Sequence, residues 1–321
     1  MIHSTAASSW LAILNPRARR GAAPRLARPH LAALRDRGVD IELCTTSGPR
    51  EAVRLAREGY ARGHRRFLAI GGDGTAFETL NGFLPSALDD GQDTGLAVLP
   101  VGTGNSFARH FEREGGSGSA TVVAAILEDQ SRRCDVMRLQ HETGEQYALG
   151  TVSVGFAAQV SALVNRKLKA FGVVGYTLGV LRELQRLRFY ESDLTFATQG
   201  TRQSVRGRLL FAAIQNVEWV GGNMRMAPGA RTDDGLADLV IVDQARRLRV
   251  LRLFPRIFDG SHVAVPEVHV HRCDRVTFHD PGRRPVMLDG EVLELVPRRL
   301  EVLPAAISIW VPETSETARG L

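Results

Sequence analysis

The sequence predicts an N-terminal α/β domain followed by a mainly β domain. Three observations carry that expectation. Apolar runs of strand length alternate with amphipathic, helix-length segments through the first part of the chain. One of these runs, Leu68-Ala69-Ile70, stops at Gly71-Gly72-Asp73-Gly74-Thr75 and is followed by a helix-like segment. Past Cys134-Asp135, several segments alternate polar with apolar residues, the pattern of antiparallel strands with unlike faces. We place the first domain at residues 1–135 and the second at 136–312, the last strand being free to return to the first domain. A polar tail occupies 313–321.

Ser9 to Leu14 reads as a strand closed by Asn15-Pro16, because proline cannot continue a ladder. Arg17 to Gly21 is a basic loop, and Pro24 to Gly38 a helix. Val39 to Thr45 is a second strand, followed by Thr46-Ser47-Gly48-Pro49-Arg50 and a helix from Glu51 to Tyr60. Phe67 to Ile70 is the third strand. Its glycines lack Cβ atoms, so the backbone can turn sharply and approach a ligand closely. The helix that follows Thr75 begins with N–H groups that have no internal partner and attract anions. Strand, glycine turn and helix start together predict a phosphate cradle, with Asp73 and Thr75 at its rim. Leu96 to Val101 is a fourth strand, leading into Gly102-Thr103-Gly104-Asn105-Ser106-Phe107-Ala108-Arg109. Ligands in open α/β sheets sit beyond the carboxyl ends of the strands, so Asn15, Thr46 and Gly71 to Thr75 are expected to converge. A Gly/Ser-rich loop and a helix over Thr121–Glu128 complete the domain.

In the second domain, strands are expected over 136–139, 146–158, 192–198, 208–216 and 236–243. A helical stretch over 157–187 interrupts them, with apolar residues near helical spacing and Arg166, Lys167, Lys169, Arg182, Arg186 and Arg188 as its cations. Two readings stay open for it: helices packed on the sheet with solvated arginines, or an element that faces a membrane or covers an acyl chain.

The chain has 321 residues, 44% hydrophobic and 24% charged, the balance of a globular protein able to bury a core. Net charge is +6, and nearly all the basic residues are arginines, since Lys167 and Lys169 are the only lysines. That charge suits ATP, anionic membranes and nucleic acid alike. The basic residues are dispersed and form no nucleic-acid module, so no nucleic-acid partner is expected. Cys44, Cys134 and Cys273 give neither a metal spacing nor a disulfide framework. No signal peptide or membrane span is legible, and the longest uncharged stretch, Gln146 to Asn165, is too polar for one. The expectation is a cytoplasmic protein with peripheral membrane association. Histidines 269 and 271 share a strand face without a third ligand, and no Gly-x-Ser-x-Gly elbow appears.

The Gly71 loop matches neither the P-loop, which needs a lysine, nor the dinucleotide fingerprint. The longer string Gly71-Gly72-Asp73-Gly74-Thr75-x-x-Glu78-x-x-Asn81-Gly82 resembles the signature of the diacylglycerol kinase, sphingosine kinase and bacterial lipid kinase superfamily, relatives of the NAD kinases. Gly102-Thr103-Gly104-Asn105-Ser106-Phe107-Ala108-Arg109 is similar to its second motif, with Ser106 where many members have Asp. The segment from Asn216 to Asp238 and the late Leu288-Asp289-Gly290-Glu291 are similar to its remaining motifs, so the likeness runs from about residue 9 to Pro312.

The resemblance implies an NAD kinase-like nucleotide-binding domain, a C-terminal β-sandwich and an active site in the cleft between them. It implies a Mg²⁺-dependent transfer of the γ-phosphate of ATP to a lipid hydroxyl. Gly71, Gly72, Gly74 and Thr75 would hold phosphates; Asn15, Thr46, Glu78 and Thr103 would bind nucleotide. Asp73 would position Mg²⁺, and Glu291 would serve as general base. Asp234, with the carbonyls of Arg231 and Leu236, would hold a structural Mg²⁺, though Asp-Gly is also an ordinary hairpin turn. Diacylglycerol, a sphingoid base, ceramide and phosphatidylglycerol remain open as acceptors. Two other readings are carried: an NAD kinase-like nucleotide kinase, and a non-catalytic nucleotide- or lipid-binding regulator. Edge strands of the second domain offer a route to a homodimer.

Overall fold

Four short apolar runs build the first sheet. The computed structural model describes residues 9–102, 105–111, 118–164, 172–185, 187–221, 223–280 and 282–311. The chain divides into two compact units, Met1–Cys134 with Ala306–Leu321, and Asp135–Ala305.

In the first unit, β1 (Trp10–Leu14), β2 (Ile41–Thr45), β3 (Arg66–Gly71) and β4 (Gly95–Pro100) lie in the order β2-β1-β3-β4, all parallel. Residues of the final strand add to β4 in parallel, Ser308 opposite Gly95. β1, β3 and β4 are almost wholly buried, which is why they read as continuous apolar runs, while the edge strand β2 is half exposed. The register sets Leu14 opposite Thr45 and Ile70, so β1, β2 and β3 end level. Helices α1 (Ala23–Asp36), α2 (Glu51–Ala61) and α3 (Asp73–Asp89) make the crossovers, followed by α4 (Ser106–His110) and α5 (Ser119–Leu127). Helix α3 starts at Asp73, before the Thr75 after which the sequence suggested it, with Gly72 as its cap. The core on one face joins Trp10, Leu68, Leu99, Leu31, Leu34 and Ile126.

The second unit is a mostly antiparallel assembly. Its strands are β5 (Ser131–His141), β6 (Gly144–Ala148), β7 (Thr151–Gly155), β8 (Tyr190–Thr198), β9 (Thr201–Gln215), β10 (Trp219–Val220), β11 (Met224–Arg225) and β12 (Ala237–Asp243). They continue with β13 (Val268–Cys273), β14 (Arg275–Phe278), β15 (Arg284–Leu288), β16 (Glu291–Leu295) and β17 (Pro297–Trp310), the last and the first crossing the unit boundary. Strand β9 does two jobs. Its polar first part pairs with β8, and its apolar end, Phe211 to Gln215, lies between β7 and β12. Helices α6 (Phe156–Leu163), α7 (Gly172–Gln185) and α8 (Arg247–Leu253) cover one core, through Phe156, Val160, Val180, Leu184, Val250 and Leu253.

Two expectations need correction. Residues 146–158 do not form one strand: β6 ends at Ala148, β7 begins at Thr151, and α6 starts at Phe156. The break occurs because the amides of Leu149 and Gly150 turn to the carboxylate of Asp289 instead of a neighbouring strand. The single helical stretch over 157–187 is α6 and α7, with Arg166, Lys167, Lys169 and Arg186 outside the described residues.

Candidate functional site

The strand order β2-β1-β3-β4 reverses direction between β1 and β3, and the carboxyl ends of those two strands meet there. Asn15 follows β1. Its backbone N–H donates to the Ile70 carbonyl at 3.0 Å, and its Nδ2 donates to Thr75 Oγ1 at 3.3 Å. Thr46 follows β2, is buried, and donates its N–H to the Leu14 carbonyl at 2.9 Å. Asn15, Thr46 and the Gly71–Thr75 turn therefore do share one edge of the sheet.

The turn is packed so that only glycine fits at its base. A Cβ on Gly71 would lie 2.3 Å from Thr75 Oγ1. A Cβ on Gly102, after β4, would lie 2.5 Å from Gly72 Cα, so the two loops meet backbone to backbone. Helix α3 opens here, and the first N–H groups of a helix have no carbonyl four residues back. Those amides and the positive end of the helix dipole are the kind of feature that suits an anion.

Asp73 faces the second loop. Its Oδ2 accepts Ser106 N–H at 2.9 Å and its Oδ1 accepts Phe107 N–H at 3.2 Å, tying α3 to the start of α4. Burial pushes the Asp73 carboxyl above its ordinary pKa, and the Ser106 and Phe107 amides with the Ser106 side chain pull the other way. Ser106 thus offers donors to Asp73, where an aspartate would set a second carboxylate beside it. Asn105, in the left-handed region at φ 51°, donates its Nδ2 to the Pro100 and Gly102 carbonyls and closes the loop. Thr103 lies outside the described residues.

Glu78 sits one step back from the cradle. Its two oxygens accept Arg50 N–H at 3.0 Å and Ala52 N–H at 3.3 Å, capping α2 and fixing the loop after β2. Glu51 holds the same loop through Ser47 and Gly48, and those bonds with Arg54 draw its carboxyl down to about 2. Gly82, the last glycine of the motif, serves packing: a Cβ there would lie 2.4 Å from the Val53 carbonyl of α2. The long motif is thus part cradle and part helix clamp.

In the second unit, Asp289 and Gly290 form the two-residue turn between β15 and β16, both with positive φ (47° and 90°), and Glu291 opens β16. The buried carboxylate of Asp289 accepts the N–H groups of Leu149, Gly150 and Thr151 at 2.7, 2.8 and 2.9 Å. Asn216 reinforces the same segment, its Nδ2 donating to the Leu149 and Asp135 carbonyls. Glu291 is partly exposed at the end of this fixed turn. Sequence reasoning assigned Glu291 a role and passed over Asp289; the signal available was Asp-Gly at a tight turn, with no hint of which amides it would meet.

Asp234 accepts Leu236 N–H at 3.1 Å through Oδ1 and pairs with the Arg272 guanidinium through Oδ2. Arg231 lies beside it, with its Nε also bonded to Asp233. Each Asp234 oxygen thus already has a protein partner, the Leu236 N–H on one and the Arg272 guanidinium on the other. Nearby, Asp135 accepts Gly235 N–H and Ala305 N–H, each at 2.7 Å. Among the described residues no group of three or more His, Cys, Asp or Glu side chains is arranged to hold a metal ion. His269 bonds Asp243, and His271 lies against Phe196. The donor set at the cradle, one carboxylate beside helix-start amides, fits Mg²⁺ only in the form in which it usually travels, bound to substrate phosphates.

Two family profiles divide the chain. One described as the diacylglycerol kinase catalytic domain matches residues 9–139, and one described as the YegS C-terminal NAD kinase beta sandwich-like domain matches residues 150–311. A diacylglycerol kinase of Mycobacterium tuberculosis (strain ATCC 25618 / H37Rv) is 31% identical over 302 residues, covering 94% of each chain. A probable lipid kinase YegS-like protein of Shewanella frigidimarina is 30% identical over 291 residues, covering 89% of each. A solved diacylglycerol kinase structure from Bacillus anthracis str. Sterne matches with a TM-score of 0.66 at 18% identity, covering 95% of this chain and 97% of that one. At that identity the structural likeness carries the fold alone.

Proposed function

We propose, for a chain that belongs to the diacylglycerol kinase and YegS-like family of lipid kinases, that it transfers the γ-phosphate of ATP to the hydroxyl of a membrane lipid such as diacylglycerol. The observation that carries this reading is the backbone cradle at the β1/β3 switch point, where Gly71, Gly72, Asp73 and Gly74 lead into α3 and Gly102 presses against Gly72. Phosphoryl transfer asks for positioning and charge neutralisation more than for covalent chemistry. Gly72, Asp73 and Gly74 would direct amides at the phosphates, while Asn15, through Thr75, keeps the turn in place. Glu78 would act through the loop that it caps rather than on the nucleotide itself. Thr46, in the loop after β2 at the same end of the strands, would contact the nucleotide, and Thr103 is proposed as a further nucleotide contact from its place in the second motif alone. Mg²⁺, when bound with ATP, would neutralise phosphate charge, with Asp73 as the carboxylate at hand. Arg17, Arg19 and Arg20, in the loop after Asn15, stand as additional cations.

In the transfer the lipid hydroxyl oxygen forms a bond to the γ-phosphorus as the bond from that phosphorus to the bridging oxygen of ADP breaks. The hydroxyl proton passes to the Glu291 carboxylate. Glu291 suits that task because the Asp289 turn fixes its backbone while its side chain keeps access to solvent.

The test is Mg²⁺-dependent transfer of labelled γ-phosphate from ATP to a mixed-micelle panel of diacylglycerol, sphingosine, ceramide and phosphatidylglycerol. NAD serves as an added acceptor, with Asp73→Asn and Glu291→Gln as controls. Labelled lipid that disappears in both variants supports the reading and names the acceptor class. Label on NAD alone moves the chain to nucleotide kinase chemistry. No label on any acceptor, with ATP still bound, leaves a regulator and overturns the proposal.

A further inference from the structure

The second unit carries a basic, leucine-bearing face on α8 that the transfer chemistry does not use. Between Arg246 and Phe258 the chain holds five arginines and no acidic residue. One side of α8 is ordinary core: Val250 and Leu253 are buried, with Phe254 and Ile257 of the following 3-10 turn packed against the same cluster. The other side is apolar too. Leu248 is 68% exposed, more than any other large hydrophobic side chain among the described residues, and Leu251 is 39% exposed. Around them Arg246, Arg247 and Arg252 reach solvent and form no salt bridge among the described residues, whereas Arg249 is held by Glu267 at 2.7 and 2.9 Å.

We propose that this outer face of α8 docks the protein on an anionic lipid bilayer, Leu248 and Leu251 entering the interface while Arg246, Arg247 and Arg252 meet lipid phosphates. Charge complementarity selects this occupant. Leucines exposed on a helix lose least when sunk among acyl chains, and guanidinium groups beside them sit at headgroup level, where an anionic leaflet attracts them. Arginine forks pair with phosphate oxygens bidentately, which favours phospholipid over a merely apolar partner. Among the described residues no helix is long and apolar enough to cross a membrane, so the contact is interfacial. The inference rests on the lipid kinase reading, which requires access to an acceptor that resides in a bilayer. Helix α7 packs on the same core and also exposes Leu178 and Leu181, but both less than Leu248, and it carries a single arginine, Arg182, with Glu183 beside it.

The experiment measures co-sedimentation of the full chain with phosphatidylglycerol-containing and pure phosphatidylcholine vesicles, at low and high salt. Wild type is expected to bind the anionic vesicles and to release with salt. Arg247→Ser with Arg252→Ser is expected to lower affinity about 30-fold, the equivalent of about 2 kcal/mol at about 1 kcal/mol per arginine. Leu248→Ser with Leu251→Ser is expected to lower it at both salt concentrations. Leu178→Ser with Arg182→Ser serves as the α7 comparison and is expected to lose less. All these residues are exposed, so unchanged thermal melts certify the fold. Phosphorylation of a water-soluble short-chain diacylglycerol should survive in the α8 variants while vesicle-embedded substrate is lost. That separates failure of docking from failure of the kinase reading, because vesicle binding is read without any activity. Unchanged vesicle binding in both α8 variants overturns the proposal. So does sedimentation of the wild type as a dimer, without vesicle binding, that the leucine variants dissolve.

Discussion

Asp73 and Asp289 each occupy a sharp turn and each accept backbone N–H groups from a segment distant in sequence, yet they sit in different chemical settings. Asp289 is buried and its two oxygens are filled by three amides from one strand connection. Asp73 takes amides from Ser106 and Phe107, stands in the first turn of a helix, and has its carboxyl pushed up by burial. The first carboxylate is enclosed by its partners and builds a turn. The second ties two loops together at the place where an anion is expected. Its perturbed pKa fits a functional carboxylate, as such shifts often do. The lesson is that the neighbour matters more than the motif: both aspartates lie in Asp-Gly pairs, and only the surroundings separate structure from chemistry.

Glu291 is the carboxylate that follows the Asp289 turn. Glu291→Gln removes the proposed proton acceptor and is expected to lower kcat about 10²- to 10⁴-fold. Its melting temperature should stay near that of wild type, since the side chain is partly exposed. Steady-state assays on the acceptor identified by the lipid panel, with a thermal melt, check both halves. A kcat within a factor of two or so of wild type would remove Glu291 from the chemistry.

Asp289→Ala should do the reverse. It strands three buried N–H groups that now bind a carboxylate, and at about 1–3 kcal/mol for each unsatisfied donor the loss is about 3 kcal/mol or more. Asp289→Asn keeps the shape and one good acceptor and should lose less. Urea unfolding followed by circular dichroism reads both, and equal losses from the two would argue against the amide clamp. Next in size is Gly71→Ala. Its Cβ would lie 2.3 Å from Thr75 Oγ1, the hydroxyl that Asn15 holds, so the turn must move to admit it. Overpacking of this kind costs about 1–3 kcal/mol. We expect nucleotide affinity to fall about tenfold or more, measured by titration calorimetry with ATP and Mg²⁺, with the second unit's melting unaffected.

Much of this was legible in residues that act locally. The apolar run before Gly71 named β3, Pro16 ended β1, and the glycine turn marked where β3 gives way to α3, because helix-start geometry follows from the local chain alone. What acts over long separation was not legible. Asp289 meets amides 138 to 140 positions away, and those bonds split the expected strand over 146–158 into β6 and β7. Glu78 was expected near the nucleotide, and only the packing of α2 against α3 reveals it as the cap of α2. Asp234 was expected to bind a cation, and its pairing with Arg272 comes from the register of β12 with β13, which no local pattern encodes. Helix α8 escaped notice because leucines on both of its faces blur the periodicity that marks a surface helix.

The smallest expected effect tests the same contrast with a base in place of an acid. His262 is buried, and its Nε2 lies 3.0 Å from the Met226 carbonyl. Burial holds its pKa below the ordinary 6.5, outweighing the Met226 and Arg256 carbonyls and the charge of Asp259, which favour the proton. The unfolded chain therefore takes up this proton at higher pH than the folded one. Stability from His262 is present in full above the unfolded pKa and is lost as pH falls towards the folded value. His262→Gln removes that titration and can keep a donor to Met226. Its melting temperature should lie below wild type at neutral pH, where the fitted imidazole ring is missed, and the gap should narrow by about pH 5. Thermal melts at the two pH values decide it. A gap that stays constant, or widens on acidification, would mean that the buried ring carries its proton in the folded protein, and that burial at this position does not dominate its partners as it does at Asp73.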